Sequence, residues 1–349
     1  METNYHDQQN KENIKKLREV LDTLPGFCKQ YFRGTSNITA SRTRLAYAYD
    51  IRLFFEFLHE TNPACAKMEI VDFPVSILDA VKREDIEEYL EYLSLYERDG
   101  QEVTNDERGK SRKLSSLRSF YNYFFRNELI HTNPPSLVPM PKLHEKEIVR
   151  LSPNEVAILL DEVENGGKLT SNQKRFHEKT KIRDVALLTL LLGTGIRVSE
   201  CVGLNIKDID FDNMAVKVRR KGGYEDVVFF GEEVEEAMMT YLKQREHILP
   251  LSGHEDALFL SLQNRRITVR AVENLVKKYA SLVTNMKKIT PHKLRSTYGT
   301  TLYQETGDIY LVADVLGHKD VNTTRKHYAA MKEENKRKAA KTVKLREKL

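Results

Sequence analysis

The chain has 349 residues, of which 40% are hydrophobic and 31% are charged, a composition typical of a globular protein with room for two domains. No apolar run is long enough to span a bilayer, the polar N-terminus has no signal-peptide core, and three scattered cysteines indicate reduced thiols. We therefore expect a cytoplasmic protein and no membrane partner. The formal net charge is +5, and residues 329–349 alone account for it, with eight Lys or Arg against three Glu. The rest of the chain is formally neutral, so a nucleic-acid partner must be inferred from local clusters, and the composition of the tail alone favours a hydrated helix end.

The first half of the sequence predicts a helical bundle. Helices are expected at about 11–24, over 38–60, at about 83–95 and over 110–129, and the polar segment 99–109 is expected to be a loop. Basic residues near the starts of the second and fourth helices predict a surface that faces DNA: Arg42, Arg44, Lys110, Arg112 and Lys113. Cations at a helix N-terminus oppose the helix dipole unless an anion is bound there. An ordinary amphipathic helix with a hydrated basic edge is the alternative.

A proline-rich segment separates the two halves. It contains Pro134, Pro135, Pro139 and Pro141. Proline lacks an N–H and is excluded from helix interiors, so this density predicts a semi-rigid, extended linker. The expected organisation is a helical domain over 1–133, a linker over 134–147 and a second domain over 148–349 that ends in the basic tail.

The second half begins with three recognisable pieces. Ser152 and Pro153 are suited to the N-cap and first position of a helix. The run 185–192 is apolar on all sides and predicts a buried helix, which two glycines at 193 and 195 are expected to end. Residues 214–230 alternate around Gly222 and Gly223, which predicts an antiparallel hairpin with Lys221 at its tip. The fold class is thus mostly α with one small antiparallel sheet.

The rest of the chain predicts further helices with polar residues at their ends. We expect a helix over 232–247, a short strand over 258–261 and a helix after Thr268. Thr290 and Pro291 are suited to begin another helix. The apolar set within 309–316 then ends at Gly317, and a polar segment leads from 320 to Tyr328.

Six polar residues at the ends of these pieces form a set suited to phosphoryl transfer: Arg197, Lys221, His292, Arg295, His318 and Tyr328. The segments that carry them are TGIRVSE, RKGG, HKLRSTYGT, LGHKDVNTT and a terminal HY. In order and spacing these segments resemble the tyrosine site-specific recombinases of the phage integrase family, and among them most closely the Xer-type recombinases. The resemblance covers the whole second half. It departs at Ser296, where many relatives carry a second histidine.

The chemistry of these residue types agrees with the resemblance. A tyrosine that attacks a phosphodiester conserves the bond energy in a phosphotyrosine, so strands are rejoined without ATP. The guanidinium groups of Arg197 and Arg295 suit the charge that develops on the non-bridging oxygens. Lys221 suits the acid that protonates the leaving 5′-alkoxide, and the two histidines can donate to phosphate oxygens. The resemblance implies the same roles, with Tyr328 as the nucleophile and a 3′-phosphotyrosine intermediate.

The resemblance also implies an architecture and partners. It implies a C-shaped clamp of two domains around double-stranded DNA, the first binding the core DNA and the second catalytic. It further implies an inverted-repeat recombination site, a homotetramer on two such sites and a tail that docks on a neighbour. The expected biological role is chromosome dimer resolution, with integration or excision of a mobile element as the alternative. Arg219 and Arg220 are expected to contact DNA or solvent.

Three alternatives explain less of this set of residues. A catalytically silent DNA-binding protein would not need the lysine or the terminal tyrosine. A histidine-nucleophile phosphatase would not need the basic first domain. A metal site built from His292, His318 and His327 lacks any HxxEH-type spacing, so we expect neither a metal nor another cofactor.

Overall fold

The structure, a computed structural model, describes residues 5–98, 100–144, 149–220, 222–318 and 320–321. Two of the predicted site residues, Lys221 and Tyr328, lie outside these ranges, and so does the basic tail. The chain divides into two compact units, Met1–Lys146 and Glu147–Leu349. Within the described ranges, no helix combines the length and the hydropathy that a membrane crossing requires.

The first unit is a bundle of helices with one short hairpin. Its elements are α1 (Tyr5–Leu21), α2 (Cys28–Gly34), α3 (Ser41–Thr61), α4 (Ile77–Ala80), α5 (Arg83–Tyr92), β1 (Tyr96–Arg98), β2 (Gln101–Val103), α6 (Glu107–Arg126) and α7 (Pro134–Leu137). The apolar stripes of α3 and α6 face each other, and Phe55 and Phe120 meet edge to face with ring centroids 6.2 Å apart. These two helices were predicted from their periodicity, and they carry the aromatic core of the unit.

Two segments of the first unit differ from the predictions. The expected loop at 99–109 begins within a hairpin in which Tyr96 pairs with Val103. The expected extended linker begins with a turn of helix, α7, whose Pro134 and Pro135 are buried. Both prolines lie in the first turn, where a missing N–H costs nothing. Arg118 of α6 donates to the carbonyl oxygens of Pro135, at 2.9 Å, and Val138, so this segment is packed onto the first unit.

The second unit combines helices with a three-stranded sheet. Its elements are α8 (Pro153–Asn165), α9 (Ser171–Thr194), α10 (Val198–Gly203), β3 (Ile209–Asp210), β4 (Ala215–Arg219), β5 (Glu225–Phe229), α11 (Glu232–Arg245), α12 (Val269–Val283), α13 (Pro291–Thr306) and α14 (Ile309–Val315). The strands are antiparallel in the order β3-β4-β5. A mostly helical chain with a small antiparallel sheet in its second half is confirmed. The strand expected over 258–261 is reduced to an isolated pairing between Leu260 and Arg266.

Helix α9 is the centre of the second unit and packs against α8, α11 and α13. Its apolar run is buried, as predicted. Gly195 ends the helix with a left-handed φ of 62°, also as predicted. Gly193, however, remains helical. A Cβ there would lie 2.5 Å from Cγ2 of Val234 on α11, so this glycine allows two helices to approach closely.

Candidate active site

Arg197 is held at the start of α10, directly after the turn at Gly195. Its backbone N donates to Oε2 of Glu200 at 2.8 Å, and its Nη1 donates to Oε1 of the same carboxylate at 2.7 Å. Glu200 is only 3% exposed, whereas Arg197 is half-buried. The buried carboxylate therefore fixes both the backbone and the side chain of Arg197 while the arginine still reaches the surface.

Arg295 enters the same region from α13, which begins at Pro291 as predicted. The guanidinium is 4% exposed and donates through Nη1 to the carbonyl oxygen of Gly195 at 2.7 Å and through Nη2 to that of Leu316. It thus joins the end of α9 to the end of α14. His292 lies three residues before Arg295 in the first turn of α13, on the same helix face, and is exposed.

The end of α14 brings three arginines together. Three successive backbone carbonyls each accept a hydrogen bond from a different guanidinium: Val315 from Arg220 at 3.0 Å, Leu316 from Arg295, and Gly317 from Arg197 at 3.3 Å. Carbonyls at a helix C-terminus lack intrahelical donors and carry partial negative charge, so cations are favoured there. His318 follows directly, is half-buried and donates its backbone N to the carbonyl oxygen of Ala313 at 2.9 Å.

Arg220 corrects one of the predictions. It was expected to contact DNA or solvent, but it is 3% exposed. Its Nη1 donates to Glu200 at 3.2 Å and its Nε donates to Asp226 at 2.9 Å. The sequence contained a signal for this burial, because Arg220 continues the inward alternation of Val216 and Val218, which are both buried.

The other predicted DNA contacts divide by exposure. Arg42 is exposed, Arg44 is half-buried, and Lys110 donates to Ser94 Oγ at 2.6 Å. The side chain of Arg112 is 49% exposed and pairs with Asp50. Lys113 is only 6% exposed, with its ammonium 2.9 Å from Oδ1 of Asn105.

The two remaining predicted DNA contacts, Lys113 and Arg219, lie in different surroundings. Burial lowers the pKa of Lys113, which Asp50 partly offsets. The ammonium of Lys113 therefore faces the interior of the first unit and not a ligand, which corrects the expectation that it contacts DNA. Arg219 lies at the hairpin end of β4, half-buried, with Nε 3.3 Å from the carbonyl oxygen of Gly223.

The charges of the site suit a bound anion. The site contains three guanidiniums (Arg197, Arg220 and Arg295) and two carboxylates (Glu200 and Asp226), which together leave one net positive charge before either histidine is counted. A phosphodiester carries one negative charge and gains another in its transition state. Among the described residues, no group of three or more His, Cys, Asp or Glu side chains is placed to hold a metal ion.

The chain is similar in sequence to known recombinases. The profile of the phage integrase family matches residues 150–335. Tyrosine recombinase XerC of Caldanaerobacter subterraneus subsp. tengcongensis is 33% identical over 306 residues, which cover 84% of this chain and 79% of the relative. Tyrosine recombinase XerS of Lactococcus lactis subsp. lactis is 29% identical over 351 residues, which cover 93% of this chain and 96% of the relative.

Solved structures resemble the fold as well. A transposon integrase in complex with a circular intermediate DNA matches with a TM-score of 0.62 at 21% identity, over 89% of this chain and 98% of that one. The XerH site-specific recombinase bound to a palindromic difH substrate, in a post-cleavage complex, matches with a TM-score of 0.60 at 18% identity, over 82% of this chain and 75% of that one. At these identities the likeness concerns the fold alone.

Proposed function

The chain belongs to the phage integrase family and is a tyrosine recombinase, an enzyme of site-specific DNA recombination, and from this premise we propose that it resolves chromosome dimers at an inverted-repeat site. The single observation that carries the proposed site is the set of three guanidiniums on three successive carbonyls at the end of α14. Two of them, Arg197 and Arg295, clamp the scissile phosphate. Their bonds to backbone oxygens orient them before the DNA arrives, which lowers the cost of reorganisation during the reaction.

The chemical step transfers a phosphoryl group from DNA to the enzyme and back. The phenolic oxygen of Tyr328 attacks the phosphorus, the bond to the 5′ oxygen breaks, and a 3′-phosphotyrosine forms. Lys221 gives its proton to the leaving 5′-alkoxide, and His292 accepts the proton of the phenol. His318, held beside Gly317, donates a hydrogen bond to a phosphate oxygen. Rejoining reverses these steps with the 5′ hydroxyl of another strand, so no ATP is consumed.

The first unit binds the core DNA of the site through exposed or half-exposed cations. These are Arg42, Arg44, Lys110 and Arg112, with Arg219 adding a contact from the second unit. The buried Lys113 and Arg220 are not part of this surface. The two units close on the duplex as a clamp, and four copies assemble on two sites in the cytoplasm, with each tail docked on a neighbour. Because phosphate contacts release counterions, binding should weaken steeply with salt.

Covalent capture on genomic DNA tests the nucleophile and finds the site at the same time. The full chain is incubated with sheared DNA of the organism that encodes it, and fragments that stay attached after denaturation are sequenced. Tyr328→Phe should retain the same fragments under native conditions and hold none after denaturation. An adduct that persists in this variant would reassign the nucleophile, and native binding without any wild-type adduct would favour a silent DNA-binding protein.

The position of the captured duplex tests the biological role. One inverted repeat per chromosome, away from mobile DNA, is the expected result for dimer resolution. Captured duplexes at the two ends of a mobile element would instead assign the chain to element movement.

A sulfur substitution in the captured duplex tests the role of Lys221. Lys221→Ala should slow single-turnover cleavage by about 10²- to 10⁴-fold, the usual range for general acid catalysis. A duplex whose leaving 5′ oxygen is replaced by sulfur needs no proton, so it should restore the rate. If sulfur gives no recovery, Lys221 is not the acid.

A further inference from the structure

The guanidinium of Arg220 contacts three separate elements of the second unit. Its Nη1 lies 3.2 Å from Glu200 of α10, its Nε 2.9 Å from Asp226 of β5, and its Nη2 3.0 Å from the carbonyl oxygen of Val315. Each nitrogen thus has a different partner. Because all three nitrogens of this guanidinium have partners, it cannot turn toward a DNA phosphate without breaking these contacts.

The backbone of Arg220 closes the hairpin that precedes β5. Its N donates to the carbonyl oxygen of Tyr224 at 2.9 Å, and its carbonyl oxygen accepts from the N of Gly223 at 3.0 Å. Gly222 and Gly223 follow with φ of 102° and 88°. No described atom lies within 4 Å of the position that a Cβ on Gly222 would take. A turn this open has little packing of its own, so its placement depends on its base.

The same arginine packs closely against the end of α14. Gly317 has a φ of 60°, and a Cβ on it would lie 2.8 Å from Nε of Arg220. The carboxylate that Arg220 contacts, Glu200, also binds Arg197. One side chain therefore connects the base of the hairpin to the Arg197–Glu200 pair and to the segment that leads to His318.

We propose that Arg220 is a positioning residue for DNA cleavage, which holds the base of the hairpin that includes Lys221 in its sequence against the Arg197–Glu200 pair. The inference rests on the proposed role of Lys221 as the general acid. It assigns Arg220 no contact with DNA. Its chemical consequence is testable, because the step that needs the lysine proton depends on the position of the hairpin and a leaving group that needs no proton does not.

The test compares two leaving groups in single-turnover cleavage of the captured duplex. Arg220→Ala should slow cleavage of the unmodified duplex by about 10²-fold, the effect of a misplacement of roughly 1 Å. With sulfur in place of the leaving 5′ oxygen, its rate should return to within about threefold of the wild-type rate. On the unmodified duplex, Arg220→Lys should cleave at a rate between those of Arg220→Ala and the wild type, since an ammonium lacks the planar fork that reaches three partners.

Two further variants separate positioning from folding. Lys217→Ala removes a cation from the exposed face of the same strand, where Lys217 pairs with Glu225, and should leave both rates unchanged. Asp226→Asn removes the charge from one anchor and keeps the other two, so it should show a smaller loss with the same sulfur recovery, even if Arg220→Ala does not fold.

The outcomes distinguish this inference from the proposed function. If sulfur restores Lys221→Ala but neither Arg220→Ala nor Asp226→Asn, Arg220 does not act through the lysine and the inference is wrong. If sulfur restores none of the three variants, the general-acid role itself fails. Normal cleavage of the unmodified duplex by a folded Arg220→Ala would also overturn the inference.

Discussion

Each of the two units contains a buried carboxylate beside two cations, and one such cluster from each unit can be compared. In the first unit this Asp50 cluster contains Asp50, Arg112 and Lys113, and in the second unit the Glu200 cluster contains Glu200, Arg197 and Arg220. Both carboxylates are 3% exposed. By formal charge, each cluster has one net positive charge. Their surroundings differ, and the difference decides what each cluster can do.

Burial opposes the charged forms of Asp50 and Lys113 in the Asp50 cluster, whereas both cations of the Glu200 cluster are arginines. Burial raises the pKa of Asp50, with Arg112 and Lys113 opposing it, and burial lowers the pKa of Lys113. Both shifts favour neutral side chains. Glu200 instead faces two arginines, and these also bind the carbonyls at the end of α14. The type of cation that pairs with the buried carboxylate thus indicates whether a charge cluster is suited to a ligand.

The largest expected effect of breaking either cluster belongs to Glu200→Gln. It leaves two guanidiniums without their shared carboxylate, and it should lower the free energy of unfolding by about 3 kcal/mol. Cleavage should slow by about 10²-fold or more, because Arg197 loses its fixed position. Thermal unfolding and single-turnover adduct formation on the captured duplex measure the two effects.

The matched control for this variant is Glu178→Gln on α9. Glu178 forms an exposed ion pair with Lys181, and its side chain is 66% exposed, so cleavage should be unchanged. If Glu200→Gln behaves like this control, the Glu200 cluster has no role in holding the arginines.

An intermediate effect is expected from Gly195→Ala, which tests the backbone part of the Glu200 region. Gly195 has a φ of 62°, and a Cβ there would lie 2.4 Å from Cδ1 of Tyr298. Gly307→Ala is the control, with a φ of 66° and no atom of the described residues within 4 Å of its added Cβ. Both should lose about 1 kcal/mol of stability from the left-handed φ, and Gly195→Ala should lose about 1–3 kcal/mol more from the clash. Equal losses in denaturant titrations would show that the Tyr298 contact is not tight.

The smallest expected effect is that of Asp50→Asn, and its sign depends on pH. A carboxyl whose folded pKa is raised contributes stability below its unfolded pKa and loses it as the pH rises through the folded pKa. Asparagine resembles the protonated form. Wild type should therefore lose stability relative to Asp50→Asn as the pH rises from below the unfolded pKa of about 3.9 through the raised folded pKa. Paired unfolding curves measure this difference, and a gain with pH would mean that the cations outweigh burial.

Much of the fold could be predicted because its signals are local. The stripes of α3 and α6, the cap at Ser152 and the paired glycines of the hairpin each lie within a short window of sequence. The hairpin of β1 and β2 was missed because strands of three residues offer almost no alternation. Gly193 was wrongly predicted to end its helix, because the contact that requires a glycine there is made with Val234 on another helix. Close packing between distant segments leaves no local trace.

The candidate site shows the same division. Arg197 and Arg295 were identified from motifs, and the structure brings both to the end of α14. The burial of Arg220 was missed although it continues the alternation of Val216 and Val218 along the strand, because a basic run beside glycines is typical of an exposed turn. Its partners Glu200 and Val315 lie 20 and 95 residues away in sequence. Which cation faces the ligand and which holds the frame depends on such contacts.

The three adjoining carbonyls of residues 315–317 also impose an order on biosynthesis. The arginines that they hold come from positions 197, 220 and 295, all of which leave the ribosome earlier. Until the last of these acceptors has emerged, the guanidiniums lack the scaffold that orients them, and Tyr328 has yet to be added. An unfinished polypeptide that ends before residue 317 therefore lacks the arrangement of the three guanidiniums.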